Sequence, residues 1–269
     1  MKARVLVAVV GLPLLVTVLL FMPEWVAATV IGAVCVLASY ELLCGTGLLH
    51  NLRIVVITAV MAMFVCLWSV LGQSRIVMQL GIFLFLMALF LELLLAKTKL
   101  DFTFICLAIF AGIGVPYLLS SVLRIMHMDN GRYFVLMPFA MTMIPDSGAF
   151  FVGCACGKHK LAPEISPKKS VEGVFGGVAA GILGMLIYSF VLHLFGLRIN
   201  WLYAAVYGLL GAFGSVIGDL VFSTIKRQTG IKDFGHFLPG HGGALDRFDS
   251  AVLVAPMTEL LLLLLPLAA

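Results

Sequence analysis

The sequence predicts an all-α integral membrane protein with about nine transmembrane helices, N-terminus cytoplasmic and C-terminus extracytoplasmic. Three observations carry that reading. The chain is 62% hydrophobic and 11% charged, with a mean hydropathy of +1.16, whereas a soluble domain carries roughly 25% charged residues. The apolar residues form runs near or above the ~18–20 residues that a helix needs to cross a ~30 Å hydrocarbon core. Finally, eight of the thirty formal charges fall in the 31 residues from Asp219 to Asp249. There is no room for a sizeable soluble domain. Because an open sheet edge cannot be satisfied in lipid, the spans read as helices. The net charge of +4 is scattered over short loops, so it does not make a nucleic-acid surface.

Met1-Lys-Ala-Arg precedes the apolar run Val5 to Met22. That run is longer than the ~7–15 residues of a signal-peptide core, so a retained first helix is expected. Pro23-Glu24 then turns the chain. Further spans are expected near 25–43, 54–71, 76–96, 102–125, 133–154, 171–195, 201–225 and 250–267. With the N-terminus inside, thirteen of the seventeen Lys and Arg lie on the inner side. Only Arg75, Arg124, Arg132 and Arg198 lie outside. This asymmetry is what orients helices, and it turns the loops 155–170 and 226–249 toward the cytoplasm. Residues 1–100 read as a scaffold of helices and 101–269 as the catalytic region. The front four helices carry little chemistry. Their main exception is Glu92, near the inner end of the fourth, which reads as an interfacial acid. Most of the six cysteines lie in apolar segments, where Cys behaves as a small hydrophobe. Cys154-x-Cys156 lacks the second pair that a tetrahedral metal site needs.

The charged stretch has the character of a metal-assisted phosphate site at a membrane surface. Asp219, Ser223 and Lys226/Arg227 recur at helical spacing and share one face. At 1.5 Å per residue, Asp219 would lie roughly 10 Å inside the helix end. A carboxylate at that depth is costly and marks function, and its hard oxygens suit Mg²⁺. In the following loop come Lys232-Asp233, then His241-Gly242-Gly243, then Asp246-Arg247-Phe248-Asp249. Gly242-Gly243 permits close backbone approach. Asp246 and Asp249 are one helical turn apart and can face one ion if the last helix has begun. His241 reads as a phosphate contact or proton carrier.

The earlier loop holds Lys158, Ser166, Lys168, Lys169, Ser170 and Glu172. Either Ser166 or Ser170 can cap the next helix, and Lys168-Lys169 at its entrance would make an anion site. Asp146, between Pro145 and Ser147-Gly148, is a further candidate ligand on the same side. Gly173, Gly177, Gly181 and Gly184 line one helix, and Gly211, Ser215 and Gly218 line the next. Such small-residue faces let transmembrane backbones approach closely, so these two helices are expected to pack together and bring the two loops side by side.

Ser223 to Asp249 resembles the signature of the phosphatidate cytidylyltransferase (CDP-diacylglycerol synthase) family. That signature runs S-x-apolar-K-R-x4-K-D-x-small-x2-apolar-P-x-H-G-G-apolar-x-D-R-x-D. The one departure is Ala244, where a larger aliphatic is usual. Asp146-Ser147-Gly148-Ala149 and Gly157 to Gly173 are similar to a second family region, with Val171 where an aromatic is common. The specific motifs cover roughly the last half of the chain.

The resemblance implies transfer of the cytidylyl group of CTP to phosphatidate with Mg²⁺, one ion or two. It implies Asp219, Asp246, Lys226, Arg227 and His241 as catalytic residues, and Asp219, Asp246, Asp249 and Asp146 as metal ligands. Substrate contacts would come from Lys158, Ser166, Lys168, Lys169, Ser170, Glu172, Ser223, Lys232, Asp233, Gly242, Gly243 and Arg247. The implied partners are CTP and the membrane lipid phosphatidate, with no nucleic acid, and the setting is the cell membrane. A homodimer is one option for the assembly. Two rivals belong to other classes. A CTP-dependent polyprenol or phytol kinase would need a base for its alcohol nucleophile. A secondary transporter would place broken helices in both halves, whereas here the charge sits in one half.

Overall fold

The computed structural model describes residues 2–47, 51–95, 101–235 and 242–268, leaving aside the side chains of 2–10 and 12. It is a helical membrane protein. Among the described residues, six helical stretches are long and apolar enough to cross a membrane: Glu24–Gly45, Arg75–Leu95, Phe102–Met126, Gly131–Cys156, Val171–Leu194 and Trp201–Gln228. The other three expected positions hold α1 (Lys2–Phe21), the shorter α3 (Leu52–Trp68) and α12 (Leu245–Leu264). The chain divides into two compact units. The first is Met1–Gly131 with Gln228–Phe248, the second Arg132–Arg227 with Asp249–Ala269.

In the first unit, α2 (Glu24–Tyr40) starts behind Pro23, with Glu24 in the first turn where the helix dipole favours a negative charge. Its buried residues Ala27, Ala28, Ile31, Cys35 and Ala38 recur at helical spacing, and α2 packs on α3. Asn51 caps α3 by accepting the Arg53 amide at 3.0 Å. Then come α4 (Arg75–Leu95) and α5 (Phe102–Ile109), the latter capped by Asp101. Two π-helical turns interrupt the regular pattern. Glu41–Gly45 extends α2, and Phe110–Gly114 joins α5 to α6 (Val115–Leu119). The second lies just ahead of Pro116, which has no amide to donate. Within it the Ala111 carbonyl accepts the Ser39 hydroxyl at 2.6 Å. Single π turns of this kind occur often at functional sites. α7 (Ser121–Met126) closes the run.

After the short α8 (Gly131–Phe134), the second unit is built on α9 (Met137–Cys156), α10 (Val171–Leu194), α11 (Trp201–Gln228) and α12 from Asp249 onward. The spans are helical, as expected, and a short pair of strands lies in the loop between α9 and α10. Within the 155–170 loop, β1 (Lys160–Ala162) and β2 (Ser166–Ser170) form an antiparallel hairpin pairing Lys160 with Ser170 and Ala162 with Ser166.

The small-residue stripes are buried as expected, but their partners differ. A Cβ on Gly173, Gly177 or Gly184 would run into Ala149 or Pro145 backbone or Ile144 of α9. On α11, Gly211 meets Met141 of α9, Gly214 meets Met257 of α12 and Gly218 meets the Ser250 backbone of α12. α10 and α11 touch closely where Gly181 faces Gly208 and Ala212. A stripe records that a backbone comes near. It does not record which one.

Candidate active site

In the second unit the charged residues are organised around Asp219, on α11. Its Oδ1 accepts the Ser223 hydroxyl at 3.0 Å, the i to i+4 geometry that the spacing predicts. Its Oδ2 lies 2.6 Å from the Lys169 ammonium at the end of β2. Lys169 Nζ is sealed from solvent and, among the described residues, has no hydrogen-bond partner beyond that ion pair. On α9, Asp146 Oδ1 accepts the Ser215 hydroxyl of α11 at 2.8 Å. Lys169 and Asp219 both act on Asp146 electrostatically. Two carboxylates on facing helices are thus each held by a serine from α11, and Lys169 pairs with one of them, Asp219.

The end of α11 meets the hairpin as well. Arg227 Nε donates to the Ile165 carbonyl at 3.2 Å. Lys226 is buried, with its Nζ 4.0 Å from Asp249 Oδ2 on α12. Asp249 Oδ1 accepts the Ser250 amide at 2.7 Å. The structure also decides between the two capping serines. Ser170 Oγ accepts the Gly173 amide at 3.2 Å and caps α10, while Ser166 sits in β2. Glu172 turns back to accept the amides of Lys158 and His159 and pairs with His159 Nδ1 at 2.6 Å. It therefore holds the entrance of the hairpin. Lys168 stays exposed on β2.

In the first unit, α12 begins at Leu245, so Asp246 and Asp249 lie within the first turns of a helix. Asp246 Oδ2 accepts two amides, Phe234 at 2.8 Å and Gly243 at 2.9 Å. The next two amides, Ala244 and Leu245, both go to the carboxylate of Glu41, each at 2.8 Å. Glu41 is 3% exposed and sits at the head of the π turn of α2. Sequence reasoning passed over it. An acid near the end of an apolar run was the signal that could have found it, by the rule that singled out Asp219.

Gly242 has a φ of +83°, a conformation that favours glycine. A Cβ on Gly243 would strike the Glu41 carboxylate, so glycine is required there for close approach. Lys232 and Asp233 are exposed and line a cavity of about 850 Å³ with Tyr40, Glu41, Cys44 and Gly235. Arg247 is exposed. His241 lies outside the described residues.

The donor chemistry around Asp219 and Asp146 fits a hard divalent cation. The atoms on offer are carboxylate and hydroxyl oxygens, and the Lys169 ammonium already occupies a cation's place beside Asp219. No three His, Cys, Asp or Glu converge among the described residues. Mg²⁺ is commonly bound by one or two carboxylates together with substrate phosphates. Asp146, Asp219 and Asp249 belong to the second unit and Asp246 to the first.

Comparison with known proteins agrees with the motif. The chain is 40% identical over 172 residues to a protein of Staphylococcus epidermidis (strain RP62A) called phosphatidate cytidylyltransferase. It is 39% identical over 171 residues to the protein of that name from Staphylococcus haemolyticus, and 37% over 171 residues to that from Staphylococcus aureus (strain COL). Each match spans 63% of this chain and 63% of the relative's length. The model of the Cytidylyltransferase family matches residues 2–265. With nearly its whole length inside that match, the chain belongs to the cytidylyltransferase family.

Proposed function

We propose that this protein transfers the cytidylyl group of CTP to phosphatidate, giving CDP-diacylglycerol and pyrophosphate. The observation that carries the reading is the Asp219 carboxylate, with Lys169 on one oxygen and Ser223 on the other, in a chain similar to proteins named for this activity. In this reaction a phosphate oxygen of phosphatidate bonds to the α-phosphorus of CTP. The bond from that phosphorus to the bridging oxygen breaks, and its electrons leave with pyrophosphate. The nucleophile is already anionic near neutral pH, because the second pKa of a phosphomonoester is about 6. No strong base is needed. The difficulty is bringing two anions together, which positioned cations relieve.

The basic residues divide that work. Lys169, with Lys168 beside it, takes the triphosphate and then the departing pyrophosphate. Lys226, Arg227, Lys232 and Arg247 neutralise nucleotide and lipid phosphates, and Asp233 orients Lys232. Ser215 and Ser223 hold Asp146 and Asp219 in fixed rotamers. Gly242 and Gly243 let the backbone approach a phosphate, which His241 also contacts. Bound Mg²⁺, one ion or two, would neutralise charge on the phosphoryl oxygens, with Asp219 and Asp246 as principal ligands and Asp146 and Asp249 as further ones.

The setting follows from the charge asymmetry of the loops. We place nine spans in the membrane, with the N-terminus and both charged loops cytoplasmic. One substrate then arrives from lipid and the other from solution.

The test incubates the purified protein with phosphatidate, Mg²⁺ and CTP labelled either in cytidine or in the γ-phosphate. Cytidine label entering lipid as CDP-diacylglycerol is the expected result. Lipid carrying only γ-label would mean a kinase, and unlabelled lipid would remove the reading.

A further inference from the structure

Glu41 is the most enclosed carboxylate contact in the first unit, and no step of the proposed reaction uses it. It lies 203 and 204 residues before the two amides it accepts. Leu245 opens α12 and Ala244 directly precedes it, where a helix start leaves N–H groups without intrahelical acceptors. A side chain from within the same turn usually supplies such a cap. Here the acceptor is brought in from α2, at a π turn that changes the facing of the helix.

Three features show that the contact is built. Gly235 and Gly243 flank the Glu41 carboxylate, and a Cβ on either would collide with it. Gly45, one helical turn after Glu41, is pressed against the Phe234 carbonyl, where a side chain could not fit. The amide just before the pair, Gly243, goes instead to Asp246. Three successive amides are therefore shared between two carboxylates, and the position of one fixes that of the other.

We propose that Glu41 is a positioning residue for Asp246. It holds the Gly242–Leu245 backbone so that the Asp246 side chain is presented in a single orientation. The consequence for turnover rests on the cytidylyl-transfer reading, whereas the contact itself does not. Misplacing a reacting group by about 1 Å can cost ~10²-fold in rate. Glu41→Gln keeps one acceptor and turns an NH₂ toward a backbone N–H. Glu41→Asp withdraws the carboxylate by one methylene.

The experiment uses the full-length protein in lipid nanodiscs. Glu41→Gln is expected to lower kcat by about 10²-fold, with KM for CTP changed less than about threefold, as for an interaction that matters in the transition state. Glu41→Asp should restore part of kcat. Added to Asp246→Asn, Glu41→Gln should cost almost nothing further, because residues acting as one unit are non-additive. The control is Glu92→Gln, an acid 3.6 Å from the exposed Arg53, which should retain wild-type turnover. Near wild-type kcat in Glu41→Gln, or full additivity with Asp246→Asn, would overturn the proposal.

Amide hydrogen exchange on the unmodified protein decides the matter independently of activity and of any variant's folding. Ala244 and Leu245 should be protected, and rapid exchange at both would also overturn it. If the protein makes no CDP-diacylglycerol, the catalytic reading fails, while the exchange result still decides the contact.

Discussion

Lys169 Nζ stands 2.6 Å from Asp219 Oδ2, an ion pair joining the end of a β hairpin to the interior of a transmembrane helix. Among the described residues Lys169 has no hydrogen-bond partner beyond that pair, so it is poised to exchange a carboxylate for a phosphate. Asp219→Asn keeps the shape and removes the charge. Its turnover should fall at least ~10²-fold, the scale of one missing transition-state contact at roughly 2.7–4 kcal/mol. Lys169→Met should fall similarly, and the double variant little further than the worse single one. Steady-state measurement of lipid product checks this, and near wild-type turnover of Asp219→Asn at low Mg²⁺ would make the acid a helix–helix partner only.

Gly243→Ala should destabilise the protein, because the added Cβ meets the buried Glu41 carboxylate. Overpacking of this kind costs about 1–3 kcal/mol. A lowered unfolding midpoint in detergent is the expected observation. An unchanged midpoint would mean that the loop shifts freely, contrary to the paired amide contacts.

The two serines of the hairpin can be told apart. Ser170→Ala removes the cap of α10 and should cost about 1 kcal/mol. Ser166→Ala, a strand residue, should stay within about 0.5 kcal/mol. Equal losses in thermal unfolding would contradict the observed cap.

Chelation and nucleotide exchange address the chemistry. EDTA should abolish incorporation of cytidine into lipid, and added Mg²⁺ should restore it. ATP should not replace CTP. Comparable lipid labelling from both nucleotides would argue for a different reaction.

For topology, a reporter fused after Ala269 should be extracytoplasmic, and one inserted in 158–168 cytoplasmic. Finding both on the same side would exclude the nine-span arrangement.

Local geometry was legible in the sequence where it depends on neighbours along one helix. The shared face of Asp219 and Ser223 follows from spacing alone, whereas α12 begins at Leu245, five residues before the expected span. The segment SPKKS read as loop and cap, yet all of it lies in β2, paired with Lys160–Ala162 against its weak propensity. The glycine stripes announced close packing, but the expected pairing of α10 with α11 holds only around Gly181, and most of the α10 stripe meets α9, since any helix can fill a smooth face. Glu41 was missed because its partners lie at the other end of the chain. No periodicity links residue 41 to residue 244, and only the fold brings them together.

The π turn at Glu41–Gly45 carries one residue more than a regular helical turn would hold. Each residue of an α-helix accounts for about 100° of rotation. The surplus therefore works as an angular offset, with Glu41 at the point where it begins. Deleting one residue between Tyr40 and Gly45 would leave a smoother helix of about the same length. It would also turn the carboxylate away from the backbone it holds. In this stretch of membrane helix, regularity and correct aim are opposed, and the chain has kept the aim.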